Sequence, residues 1–224
     1  MGKERIGLLG GTFNPVHSGH LRAAREVTRI FGLDRVLFVP SYIPPHKRAG
    51  EAATPQDRFA MVELAVRSYP RFIASLVEIK AREKSYSVIT LRKVKAIYPN
   101  AWIFFILGID AFMEIDTWKS YQQVLEQCHF IVISRPGYEL ADARNVLPER
   151  YAAQIFSPPE SAAVRIDESL LRRFRIFAVP IRALAVSSTE IRRKIRQGGS
   201  LGGLIPKSVE AYIRKHKLYQ ESND

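Results

Sequence analysis

The stretch "GGTFNPVHSGH", Gly10 to His20, places two glycines, a proline and two histidines directly behind the apolar run "IGLL". A turn that leaves a strand and enters a helix exposes backbone N–H groups at the helix start, where the macrodipole also favours negative charge. Phosphate is the natural guest of such a turn. Gly10 and Gly11 let the backbone approach a ligand without a Cβ in the way, and Asn14-Pro15 bends the chain ahead of Ser18, a candidate N-cap. His17 and His20 lie three apart, so both rings can face one anion and stabilise charge developing at a phosphorus centre. The same residues also read as ordinary turn chemistry with one surface ring and one core ring. A zinc site lacks a nearby Glu or third ligand. Neither the dinucleotide fingerprint nor the Gly-x-x-x-x-Gly-Lys-Ser/Thr loop occurs in the chain.

A second anion-facing segment is "SSTEIRRKIR", Ser187 to Arg196. Ser187 and Glu190 make a capping box, Ile191 and Ile195 share one face, and Arg192 and Arg196 share another. The alternative is a well-capped basic helix with solvated charge. Asp110 follows the run "WIFFIL" through Gly108 and Ile109, where a carboxylate beyond a strand end can accept from ribose hydroxyls or cap a helix. Trp118 and Tyr86 are flat aromatics suited either to stacking on an electron-poor ring or to core packing.

The elements that must position these groups are visible as alternation. Buried-strand runs are expected at 5–10, 35–40, 71–79, 102–107, 129–134 and 174–179, with helical patterns between them, notably through Leu21, Ala24, Val27 and Phe31, around 59–66 and over 85–98. That order predicts an α/β fold: a doubly wound, Rossmann-like parallel sheet with helices on both faces and a small C-terminal helical part, in one domain spanning 1–224. Ligands in such folds sit beyond the carboxyl ends of the strands. The alternation dissolves over 139–174, which reads as an insertion or long connection: a lid, an oligomer contact or a poorly ordered segment. Residues 186–219 read as C-terminal phosphate-binding helices.

Composition bounds the rest. Hydrophobic residues make up 46% and charged residues 25% of 224, close to the globular average. The longest apolar run, "AWIFFILGI", is far short of the roughly 20 residues a membrane span needs. No signal-peptide pattern opens the sequence, and Cys128 is the only cysteine, so a cytoplasmic location is expected and an internal disulfide is excluded. Net charge is +12, and Val164 to Lys217 hold 13 Lys or Arg against 4 Asp or Glu. Coulomb attraction alone fits nucleic acid, a phosphate-rich small molecule or an acidic partner.

At this point a resemblance narrows the field. "GGTFNPVHSGH" resembles the signature of the His-x-Gly-His nucleotidyltransferase superfamily. "VPSYIPPHK", "SYSVITLR", "FILGIDAFMEIDTWKSY", "ISRPGY", "VSSTEIR" and "IPKSVEAYIRKHKLY" are similar, in the same order, to the nicotinate-nucleotide adenylyltransferases. The resemblance implies transfer of the adenylyl group of ATP to nicotinate mononucleotide in NAD biosynthesis, with Mg²⁺ arriving on the triphosphate. It implies His17, His20, Lys47 and Arg192 as catalytic groups. It assigns Gly10, Gly11, Thr12, Phe13, Gly108, Asp110, Ser188 and Thr189 to ATP, and His46, Tyr86, Ser87, Trp118 and Arg135 to nicotinate mononucleotide. ATP and the mononucleotide are the expected partners, with no membrane and no nucleic acid, and a homo-oligomer is left open. A sibling transferase acting on nicotinamide mononucleotide or pantetheine phosphate, or a non-catalytic nucleotide-binding module, stays as the alternative.

Overall fold

A computed structural model describes residues 2–43, 53–158, 166–173, 175–181 and 186–220. Seven strands form one sheet: β1 (Arg5–Gly11), β2 (Arg35–Pro40), β3 (Phe72–Ala74), β4 (Trp102–Gly108), β5 (His129–Ile133), β6 (Ile155–Phe156) and β7 (Ile176–Val179). Their order is β3-β2-β1-β4-β5-β7-β6, and every pairing is parallel. The helices are α1 (Ser18–Phe31), α2 (Pro55–Val66), α3 (Ser87–Ile97), α4 (Ile109–Phe112), α5 (Tyr121–Gln127), α6 (Glu149–Ala152), α7 (Glu168–Arg173), α8 (Ser188–Arg196) and α9 (Lys207–Lys215). The expected doubly wound sheet is the fold.

Both faces of the sheet are covered, which is why its central strands read as near-continuous apolar runs. Successive residues of β4 divide between two cores. Phe104 and Ile106 join Phe31, Phe38, Met61, Phe177, Ile191 and Val209 on one face, while Ile103, Phe105 and Leu107 join Leu8, Leu91, Val94, Val124 and Phe130 on the other. The strand order reverses between β1 and β4, paired in register from Arg5↔Trp102 to Leu9↔Ile106. Their carboxyl ends therefore open the crevice in which this architecture binds ligands.

Two elements depart from expectation. The run 71–79 pairs only over Phe72–Ala74. After Ser75 N–H donates to Phe38 O at 2.8 Å, bonds from Lys80 N to Leu76 O and from Ala81 N to Glu78 O wind the chain into turns. The apolar content of 71–79 predicts strand throughout, but past Ala74 local hydrogen bonding winds the backbone into turns. Within 139–174 the described residues supply β6, a two-residue edge strand pairing Ile155↔Ile176 and Phe156↔Phe177. Ala143, Leu147, Tyr151, Ile166 and Leu171 from the same stretch are buried. Among the described residues no helix is long and apolar enough to cross a membrane.

Candidate active site

The β1–α1 turn ends at His17, which is the N-cap of α1. Its backbone N–H donates to His20 Nδ1 at 3.2 Å, and the two imidazoles stack with centroids 3.6 Å apart at 28°. An accepting Nδ1 carries no proton, so neutral His20 holds its hydrogen on Nε2 and keeps a donor there. Phe13 meets the His20 ring edge-on at 5.0 Å. It does so from a left-handed backbone, φ 50°, costly for a bulky residue and sustained because its side chain is packed in the core. Phe13 thus props the histidine pair from behind. Ser18, expected as the N-cap, lies one residue inside the helix; its N–H and Oγ donate to Leu204 O at 2.8 Å and Gly203 O at 2.7 Å. The hydroxyl anchors the C-terminal segment, and the histidine takes the cap.

Burial holds both imidazoles neutral. Desolvation, with the charge of Arg135 added, lowers the His17 pKa from 6.5 to about 4. His20 is lowered well below the usual value by desolvation first, then by His17 and Arg135. These rings are hydrogen-bond donors rather than standing cations. The sign for stability follows. Above pH 6.5 neither the folded nor the unfolded state protonates His17; as pH falls toward 4 the unfolded chain takes up a proton that the folded chain refuses. Stability then drops by about 1.4 kcal/mol per pH unit per such group. Urea unfolding is expected to show the native chain losing about 2 kcal/mol more between pH 7 and pH 5 than His17→Gln does. Equal losses would mean that His17 protonates freely in the fold.

Helix α8 closes on the same turn. Ser187 caps it, Oγ accepting from Glu190 N–H at 3.1 Å, and Ile191 is fully buried beneath. Ser188 Oγ donates to Pro15 O at 2.9 Å. Arg192 Nη1 donates to Asn14 O at 2.9 Å, and its Nη2 lies 3.5 Å from Thr189 Oγ1. The N-terminal ends of α1 and α8, remote in sequence, are thus joined at one turn. Ser188 and Arg192 are engaged with carbonyls of that turn.

At the end of β4, Gly108 is the N-cap of α4 and Asp110 sits in its first turn. A Cβ on Gly108 would collide with Asp110 Oδ1 and lie 2.7 Å from Arg135 Nε, so glycine is needed for both side chains to fold over it. Arg135 Nε is 3.6 Å from Asp110 Oδ1, an ion pair too long for a hydrogen bond. Arg135, expected at the mononucleotide phosphate, is therefore grouped with Asp110 and electrostatically with the histidines.

Beside this cluster lies a cavity of about 560 Å³ at the β1 and β4 ends. Gly10, Gly11 and Thr12 form one wall, and Tyr86, Ser87 and Trp118 another, with Phe105 and Leu107 beneath. Trp118 packs edge-on to Phe105 at 5.7 Å. His46 and Lys47 lie outside the described residues. Cys128 is buried with its thiol pushed up to about 12 by desolvation, which removes it as a nucleophile at neutral pH.

Residues outside the sequence motifs hold these walls. Arg58, 2% exposed, donates to Thr12 O, Ser41 O, Tyr42 O and Ala53 O at 2.6–3.1 Å. Its place on the Arg58, Met61, Val62, Ala65 face of α2 was an available signal. Asn14 Oδ1 accepts from Ala53 N–H at 3.0 Å and Tyr219 OH at 2.8 Å. Glu78 Oε1 accepts from Thr90 Oγ1 at 2.5 Å; burial raises its pKa, opposed by hydrogen bonds from Ser85, Thr90 and the Tyr42 backbone. Lys119 Nζ stands 4.5 Å from the Tyr86 ring centroid.

Comparison with known proteins matches this sequence to a family. The family described as cytidylyltransferase-like matches residues 8–194. A probable nicotinate-nucleotide adenylyltransferase of Desulfatibacillum aliphaticivorans is 41% identical over 96% of this chain and 99% of its own. One of Geobacter sulfurreducens is 43% identical over 96% and 98%. Among solved structures, the nicotinic acid mononucleotide adenylyltransferase of Plasmodium falciparum complexed with NaAD aligns with TM-score 0.70 at 19% identity, covering 96% of this chain and 97% of that one. At that identity the likeness speaks for the fold.

Proposed function

The chain belongs to the cytidylyltransferase-like family and, within it, to the nicotinate-nucleotide adenylyltransferases, and from that premise we propose that it transfers the adenylyl group of ATP to nicotinate mononucleotide. The products are nicotinate adenine dinucleotide and pyrophosphate, and the step belongs to NAD biosynthesis. A phosphate oxygen of the mononucleotide attacks the α-phosphorus; as that P–O bond forms, the bond to the bridging oxygen breaks and its electron pair leaves with pyrophosphate. No bond to the protein is required.

The observation that carries the reading is the bonding of the α8 N-terminus, through Ser188 and Arg192, to the Gly10 to His17 turn, whose Gly10, Gly11 and Thr12 line a cavity at the β1 and β4 ends. Backbone N–H groups and neutral imidazole donors at His17 and His20 stabilise charge as it develops, without reorganising at the moment of reaction. Arg135, Arg192 and, by resemblance, Lys47 offset the repulsion between two polyanions. Among the described residues no group of three or more His, Cys, Asp or Glu side chains could hold a metal ion. A magnesium ion would take its ligands chiefly from the triphosphate and water, and would supply charge neutralisation there. A cytoplasmic location is part of the same proposal.

Pyrophosphate release with ATP and Mg²⁺ tests it against nicotinate mononucleotide, nicotinamide mononucleotide and pantetheine phosphate. The expected result is fastest release with nicotinate mononucleotide. Release with pantetheine phosphate alone would overturn the acceptor. No release from any of them, with salt-steep binding to DNA, would overturn the enzyme.

A further inference from the structure

Past α9 the chain turns back on the β1–α1 turn through a disfavoured backbone. Lys217 and Tyr219 both lie in the left-handed region, φ 52° and 62°, uncommon for side chains of this size. Such outliers persist where the surroundings hold them. Leu218 and Tyr219 pack against the core that contains Ile191 and Val209, and the Tyr219 hydroxyl donates to Asn14 Oδ1 at 2.8 Å. Docking of α9 has its own anchors: Val209 and Ile213 are buried, and Tyr212 OH donates to Asp57 Oδ1 at 2.9 Å. The Tyr219 hydroxyl is therefore not what docks the helix. Burial raises its pKa, opposed by the nearby charges of Arg192 and Arg58, so it remains a donor at neutral pH.

Asn14 is the junction this donor reaches. Its side-chain oxygen accepts from Tyr219 OH and Ala53 N–H, and its backbone carbonyl accepts from Arg192 Nη1. Neighbouring carbonyls of the turn are held too, Thr12 O by Arg58 Nη1 at 2.8 Å and Pro15 O by Ser188 Oγ at 2.9 Å. Each such bond fixes a peptide plane. Among the described residues Arg192 bonds neutral oxygens, Asn14 O and Thr189 Oγ1, which leaves its charge for an anion. We propose that Tyr219 is a positioning residue for the adenylyl transfer: its hydroxyl fixes the Asn14 side chain, and with it the carbonyl that aims Arg192 at the triphosphate. The proposal rests on the adenylyltransferase reading above and extends it to a residue beyond α9. Tyr219 touches no reacting group, so its loss weakens the hold on ATP and spares the mononucleotide.

The test is Tyr219→Phe, which keeps the packed ring and removes the donor, read as steady-state pyrophosphate release beside thermal unfolding. KM for ATP is expected to rise about fivefold, the worth of one neutral hydrogen bond, while KM for nicotinate mononucleotide stays within about twofold of native. Tm is expected to stay within about 2 °C, because the anchors of α9 are untouched. Placed on Arg192→Ala, the same change is expected to raise KM for ATP by less than about twofold, since residues acting as one unit are not additive. An unchanged KM for ATP in Tyr219→Phe, an equal rise in both KM values, a loss confined to Tm, or the full rise repeated on Arg192→Ala overturns the role of Tyr219 while leaving the adenylyltransferase reading in place. No turnover by the native chain overturns that reading and this one with it.

Discussion

His17→Ala is expected to lower turnover by about 100-fold or more, the scale on which loss of one preorganised donor is felt in acyl and phosphoryl transfer. The proposed role is that of a neutral donor. The ring is 3% exposed, its pKa lies near 4, and its geometry is fixed by stacking on His20. A donor held this way costs no reorganisation when charge develops beside it. His17 also occupies the N-cap position of α1, where alanine is a poor residue and costs about 1 kcal/mol, or roughly 2–4 °C in Tm for a chain of this size. His17→Asn separates the two effects, because asparagine is a good N-cap without an imidazole. That variant is expected to recover most of the lost stability and little of the lost turnover. Steady-state pyrophosphate release and thermal unfolding on the two variants decide the matter; turnover within a few fold of native in either removes His17 from the chemistry.

The contrast between what the sequence displayed and what it hid has a common physical origin. β1, β2, β4 and β5 were legible because strands buried on both faces need continuous apolar runs, a demand that composition alone expresses. The run 71–79 met the same demand yet bends after Ala74, since turn bonds around Glu78 are made by backbone groups that every residue possesses. β6 was invisible because a two-residue edge strand needs little more than a neighbour, supplied by β7. In the site, the glycines, the histidines and the Ser-Ser-Thr turn announced themselves through spacing. The grouping of Arg135 with Asp110 and the histidines was hidden, because those partners meet it only through the sheet. The neutral state of the imidazoles was hidden as well, because desolvation belongs to the packed molecule. Asn14 joins residues 53, 192 and 219 to one turn, and no local pattern encodes such a junction.

Arg58→Met is expected to cost the largest amount of stability of any single change considered, about 3–5 kcal/mol. The guanidinium donates to carbonyls of Thr12, Ser41, Tyr42 and Ala53 from a buried position. Methionine fills much of the space of the stem but donates nothing, leaving a set of buried acceptors unpaired, and each unpaired group costs on the order of 1–3 kcal/mol. Partial relaxation and water entry keep the total below the sum. Desolvation already lowers the Arg58 pKa, partly offset by Tyr219 and Glu78, so the fold accepts a strained cation in return for tying Thr12 and Ser41, two cavity residues, to α2. Arg58→Lys keeps the charge and loses the fork, since an ammonium cannot span four carbonyls in that plane; an intermediate loss is expected. Urea unfolding reads this as a midpoint lowered by roughly 1–2 M for Arg58→Met and by less for Arg58→Lys. A midpoint for Arg58→Met within about 0.3 M of native would mean that the carbonyls find water as readily as they find the guanidinium, and that the turn carrying Thr12 stands without its clamp.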